Sequence, residues 1–146
     1  MEIIQGEKFE IARKRIRETK GKAIFSSYDD ELNRKILEKE IISVLLINQK
    51  NRKDFQKQRN SGFNQVLAKL AKKNNVKIGI NLDEIIDTPK DQKIQILARI
   101  RQNIKICNKN KLKMSFISQK YKRNSYDLKS LGLALGMPTW MFEEFQ

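Results

Sequence analysis

Histidine, the side chain that most often binds transition metals and moves protons near neutral pH, is absent from this sequence. Without it, the usual metal-assisted hydrolytic centre has no ready ligand set. The carboxylates Asp29, Asp30, Asp83, Glu84 and Asp87 are oxygen donors of the kind magnesium takes. Acids at helix starts and turns are also favoured by the helix dipole, and the sequence reads better that way, with these groups solvated. The six glycines are scattered and no G-x-x-x-x-G-K pattern exists, so no phosphate-cradling loop is expected. Cys107 falls on an apolar helix stripe, which suits core packing better than reactivity. No catalytic residue, metal ligand or cofactor is expected.

What the chain does carry is positive charge. Lys and Arg number 31 against 17 Asp and Glu, a formal net charge of +14. Self-repulsion on this scale opposes compaction, and a polyanionic partner relieves it. Nucleic acid is the commonest such partner, because each neutralised phosphate releases counterions. A lysine-rich proteome is the bland alternative, and charge does not separate RNA from DNA. Six cations in two stretches stand out: Arg52, Lys53 and Arg59, then Lys120, Lys122 and Arg123. Trp140 is of a type that stacks on a base, although tail packing explains it more simply.

The elements that must position these residues alternate between short apolar runs and helical patterns, the signature of βα units around a parallel sheet. Strands are expected at Met1–Gln5, Lys22–Ser26, Ile41–Ile47, Val76–Ile80 and Lys113–Ser118. The run IISVLLI is apolar almost throughout, as in a strand buried on both faces. Helices are expected near Glu7–Thr19, Asp29–Lys39, from Gly62 to Lys73, from Pro89 to Lys109, and after Ser125 as cap. Their inward residues are Phe9, Ala12 and Ile16; Leu32, Ile36 and Leu37; Val66, Leu67, Leu70 and Ala71; Leu97, Ile100, Ile104 and Cys107; and Leu128, Leu131 and Leu135. The basic stretch Asn48–Ser61 is the one candidate flexible segment. Five such units fall short of the eight in a closed barrel, which leaves an open sheet or an incomplete barrel. Either way, loops that follow strands share one face, and both cationic stretches follow strands. With 146 residues, no linker and no repeat, one domain spanning 1–146 is expected. The lone cysteine and the lack of a signal peptide or apolar span point to a cytoplasmic protein away from membranes.

The stretch Arg59-Asn60-Ser61-Gly62-Phe63-Asn64-Gln65-Val66-Leu67-Ala68-Lys69-Leu70, continuing to Asn75-Val76 and Ile78-Gly79, resembles the ribonuclease P protein component 3 family. This is the archaeal relative of the eukaryotic thirty-kilodalton subunit. A second match follows in Asp127-Leu128, Leu131-Gly132 and Leu135-Gly136-Met137. The likeness covers about Ile41–Met137 well and Met1–Glu40 by element order alone. Three departures are visible: the first βα units of the family are lacking, Asn48–Ser61 is longer than the usual loop, and Asn81-Leu82-Asp83-Glu84 replaces a family Ser-Leu-Arg-Pro.

The resemblance implies an N-terminally shortened, incomplete (β/α) barrel of the PHP-like TIM type, about five parallel βα units, related to metal-dependent phosphoesterases without their metal chemistry. It implies a non-catalytic protein subunit of ribonuclease P, binding the catalytic RNA and precursor tRNA in 5′-leader removal beside other small protein subunits. Arg59 and Arg123 lead the six candidate RNA contacts because the family motif also places cations there. Two other readings stand beside it: a generic basic α/β binder of ribosomal RNA or tRNA, and a phosphoesterase, which the missing histidines disfavour. Two open sheet edges are further expected to need cover from a partner subunit, a second copy of the chain or RNA.

Overall fold

In the computed structural model, which describes residues 2–145, five parallel strands form one sheet in the order β1-β2-β3-β4-β5. They are β1 (Glu2–Gln5), β2 (Ala23–Ser26), β3 (Val44–Ile47), β4 (Lys77–Asn81) and β5 (Met114–Ile117). The helices are α1 (Phe9–Glu18), α2 (Asp30–Lys39), α3 (Gln65–Lys73), α4 (Leu82–Asp87), α5 (Lys90–Lys109) and α6 (Ser125–Ala134). Sequential order settles the choice the sequence left open. A doubly wound sheet reverses its strand order at a switch point, whereas here every crossover steps the same way, as in a barrel. The fold is an incomplete βα barrel. Met1, at the start of the first expected strand, lies outside the described residues.

Both faces of the sheet are apolar, which is why β2 and β3 are buried at every position. The helix-side core joins Phe25, Leu45, Ile78 and Met114 to Ala12, Ile36, Ala71, Ile104 and Cys107. The opposite face gathers Ile24, Val44, Leu46 and Ile117 with Ile3 and Phe145 against them. Gly79 belongs to that face: a Cβ there would meet Val44, Leu46 and Ile117 at 3.0–3.2 Å, so its lack of a side chain lets the neighbouring strands' side chains close over it.

Three expectations change. Val66, placed on the buried stripe of α3, is 56% exposed, because the helix turns Leu67, Ala68 and Ala71 inward instead. The last helix is capped by Asn124, one residue before Ser125, through a bond that its side chain accepts from Asp127 N. The β5 edge is covered in part by the chain's own tail. Met114 N donates to Met141 O (2.9 Å), Glu143 N donates to Met114 O (3.0 Å), and Phe142 bridges Met114 in parallel. Among the described residues, β1 pairs with β2 alone. No helix among them is long and apolar enough to cross a membrane.

Candidate nucleic-acid interface

The two cation-rich segments both leave carboxyl ends of strands, residues 48–64 after β3 and residues 118–124 after β5. Between them stands β4, whose last residue caps a helix that hydropathy alone does not reveal. Asn81 Oδ1 accepts from Glu84 N (3.2 Å), and the string Asn-Leu-Asp-Glu is the capping pattern that announces α4. This short helix governs the rim. Its first turn places two adjacent carboxylates side by side, and each takes hold of a different loop.

Glu84 reaches the β3–α3 loop, accepting from Gln49 N (2.8 Å) and Lys50 N (3.3 Å). It is buried, and that desolvation pushes its carboxyl above the usual value in spite of the two N–H donors. Asp83 reaches the β5–α6 loop, accepting from Gln119 N (2.8 Å), Lys120 N (3.1 Å) and Tyr121 N (3.1 Å). At the far end of the helix, Asp87 accepts from Tyr121 Oη and from Lys120 Nζ (3.2 Å). Those contacts hold the Asp87 carboxyl below its ordinary range, the tyrosine bond first, and raise Lys120. Glu84 is not the solvated group the sequence suggested, and Asp83 and Asp87, the latter still exposed, each hold the β5–α6 loop. Only Asp29 plays that simpler part, as the N-cap of α2.

Nor is the β3–α3 loop a loose segment. Arg99, 4% exposed on α5, donates to Gln49 O (3.2 Å), Arg52 O (3.0 Å) and Asp54 Oδ1 (2.9 Å). The guanidinium holds Asp54 below the usual carboxylate value. Hydropathy gives no warning of this role, since Arg99 sits beside Ile100 on the core side of a basic helix. Further along, Gln102 Nε2 donates to Arg59 O (3.3 Å) and Asn103 Nδ2 to Ser61 O (3.2 Å). Beneath the loop, Asn48 Nδ2 donates to Ser26 Oγ (2.6 Å) and Asn81 Nδ2 to Asn48 Oδ1 (2.9 Å), tying three strand ends together.

The six sequence-selected cations part company here. Arg52 is turned inward: its side chain is 9% exposed, it forks onto both oxygens of Asp30 at 2.9 Å, and it donates to Asn48 O (2.7 Å). It also lies where a Cβ of Gly62 would stand, and Gly62 has φ +73, so glycine is needed there twice over. Arg52 is a tether and not a free surface cation. Lys120 is exposed but paired with Asp87. Lys53, Arg59, Lys122 and Arg123 are exposed, and among the described residues no salt bridge within 4.0 Å involves them. Arg59 borders a groove of about 470 Å³ with Phe55, Asn60, Asn64 and Gln102. Cys107 is buried at 0% exposure and its thiol is pushed far up by that burial, as suits a packing residue. Among the described residues, no three carboxylates and sulfurs gather as a metal cluster would require.

Fold and rim together define the class: an open βα barrel that presents basic loops at the carboxyl ends of its strands. No family model matches the sequence. A curated protein does: the chain is 32% identical over 101 residues to ribonuclease P protein component 3 of Methanosarcina mazei. That alignment takes in 69% of this chain and 38% of the relative. A chain in a cryo-EM structure of archaeal ribonuclease P with mature tRNA superposes with a TM-score of 0.78 at 23% identity, across 95% of this chain and 61% of that one. The structural likeness carries the fold. The family resemblance seen in the sequence is borne out: this chain is a relative of ribonuclease P protein component 3, and it spans less than two thirds of the length of either protein.

Proposed function

We propose that the chain is a non-catalytic protein subunit of a ribonuclease P particle, acting in 5′-leader removal from precursor tRNA together with the catalytic RNA and other small protein subunits. The observation that carries this reading is the 32% identity to component 3 over 101 residues. The rim supports it from the physical side. Lys53, Arg59, Lys122 and Arg123 are the phosphate contacts, with Lys120 a weaker one because Asp87 already holds it. Arg52 leaves the set, since a part-buried bidentate ion pair would have to break before it met a phosphate. The contacts position RNA and relieve its self-repulsion without taking part in bond cleavage.

The test is reconstitution with ribonuclease P RNA and the partner subunits, with and without this chain, reading leader removal. Stimulation by the chain is expected, and alanine at Arg59, Lys122 and Arg123 together should weaken RNA binding and flatten its salt dependence. Each lost phosphate contact reduces the slope of log K against log salt by about 0.7–0.9. Recovery of ribosomal RNA alone from the chain purified out of cells, with no stimulation, would favour a generic RNA binder instead.

A further inference from the structure

At the opposite end of the sheet, where helices return to strands, lies a second cationic hollow that the rim reading does not use. Its volume is about 300 Å³, and its walls include Lys72, Lys77, Lys111 and Lys113. Against these four cations it holds, among the described residues, one carboxylate, Glu143, and that group is already paired with Lys77 at 2.9 Å. The walls come from two turns of chain and the tail at Glu143, which converge without any shared sequence motif. Both turns are fixed by left-handed residues, Asn75 at φ +57 and Lys111 at φ +59. Lys72 Nζ donates to Lys111 O (3.0 Å), which joins the end of α3 to the turn before β5.

Trp140 does not line this hollow but neighbours two lysines that do, Lys111 and Lys113. It is the chain's single tryptophan and is 39% exposed, so it packs with the tail in part and leaves the rest of its surface open. Lys111 Nζ lies 5.8 Å from its ring centroid, near the outer limit of a cation–π contact, and Lys113 Nζ donates to its backbone oxygen (3.1 Å). An exposed indole flanked by lysines beside a cationic hollow is the arrangement that holds an unpaired nucleotide, the base on the ring and the phosphate among the ammonium groups. A membrane surface fits less well, because the hollow is concave and a single exposed indole gives little apolar area to insert.

We propose that this amino-end hollow is a second RNA-binding site, specific for single strands, in which Trp140 stacks on a base and Lys111 and Lys113 hold the adjoining phosphate. It is separate from the carboxyl-end loops, and it stands or falls without them. A duplex gives the ring no free base, so single strands are preferred, and stacking makes the site tolerant of sequence.

Because the chain has one tryptophan, its fluorescence reports this site directly. Titration of the full chain with a short oligouridylate should quench Trp140 saturably, and a hairpin duplex of equal charge should quench it far less. K111A/K113A should weaken the quenching affinity roughly tenfold, the scale expected for losing phosphate contacts that adjoin a stacked base. R59A/K122A/R123A should leave the quenching curve in place while reducing total binding of labelled RNA. W140F should bind labelled oligouridylate nearly as wild type and W140A about tenfold more weakly; each variant's circular dichroism and melting curve verifies folding, and the charge-reversed K111E/K113E replaces W140A if the latter unfolds. Binding of labelled RNA with no change in Trp140 emission, or quenching abolished by the rim variant, would overturn the proposal.

Discussion

The loops after β3 and β5 carry the same kind of cargo but are fastened differently. The first is held by groups that are out of water: Arg99 at 4% exposure, the Arg52 side chain at 9% and Glu84 at 9%. The second is held at the surface, by Asp83 accepting three backbone N–H groups and by the exposed set of Asp87, Lys120 and Tyr121. Each fastening consumes one cation of the loop it holds, Arg52 in the first and Lys120 in the second, but the Arg52 side chain is 9% exposed and that of Lys120 63%. Ion pairs in water are weak and yield easily; buried ones are costly to break. One loop is therefore a fixed platform and the other an adjustable arm.

Removing the buried fastening should produce the largest effect. Arg99→Met leaves the carbonyls of Gln49 and Arg52 without their side-chain donor, and a loss of about 3 kcal/mol in urea-unfolding stability is expected. A loss under about 0.5 kcal/mol, the range of an ordinary surface change, would erase the contrast between the loops.

Glu84→Gln comes next, at about 1 kcal/mol, since the amide nitrogen replaces one of the two acceptor oxygens. Its pH dependence is more telling than its size. The folded-state pKa of Glu84 is raised above 4.5, so its contribution is fully present below that value and is lost as pH rises through the folded pKa. Asp54 behaves oppositely: its pKa is lowered from 3.8, so its contribution is present above that value and is lost as pH falls through the folded one. Denaturation midpoints followed upward from pH 4.5 should thus fall in wild type more than in the Gln variant. Parallel curves would mean that Glu84 is not desolvated as described.

Asp83→Ala should have the smallest global effect, below about 1 kcal/mol, and the most local one. Amide exchange at Gln119, Lys120 and Tyr121 should accelerate on the order of tenfold, while Gln49 and Lys50 remain protected. Equal acceleration in both loops would show that α4 moves as one body and that the fastenings are not separate.

Much of the scaffold is visible in sequence because burial on both faces writes itself as apolar runs, as in the Ile41–Ile47 stretch around β3, and because Leu32, Ile36 and Leu37 recur at helical spacing. The incomplete barrel and its kinship with component 3 are also legible, from Gly62 onward through Gly136-Met137. The fastenings of the rim are not. Arg99, Glu84 and Arg52 are charged residues whose burial depends on partners 45, 35 and 22 positions away, and no local pattern encodes such distances. Helix α4 was within reach, since Asn81 and Glu84 stand at capping spacing, but six residues are too few to show a period.

Cys107 packs on the helix side of the sheet with no exposure, and the sequence offers no other sulfhydryl. Its alkylation consequently requires α5 to lift away from the strands. Modification by a thiol reagent then acts as a clock for large-scale opening, running at one rate for the whole population. Any ligand that binds the folded chain should slow it in proportion to how firmly it secures the sheet.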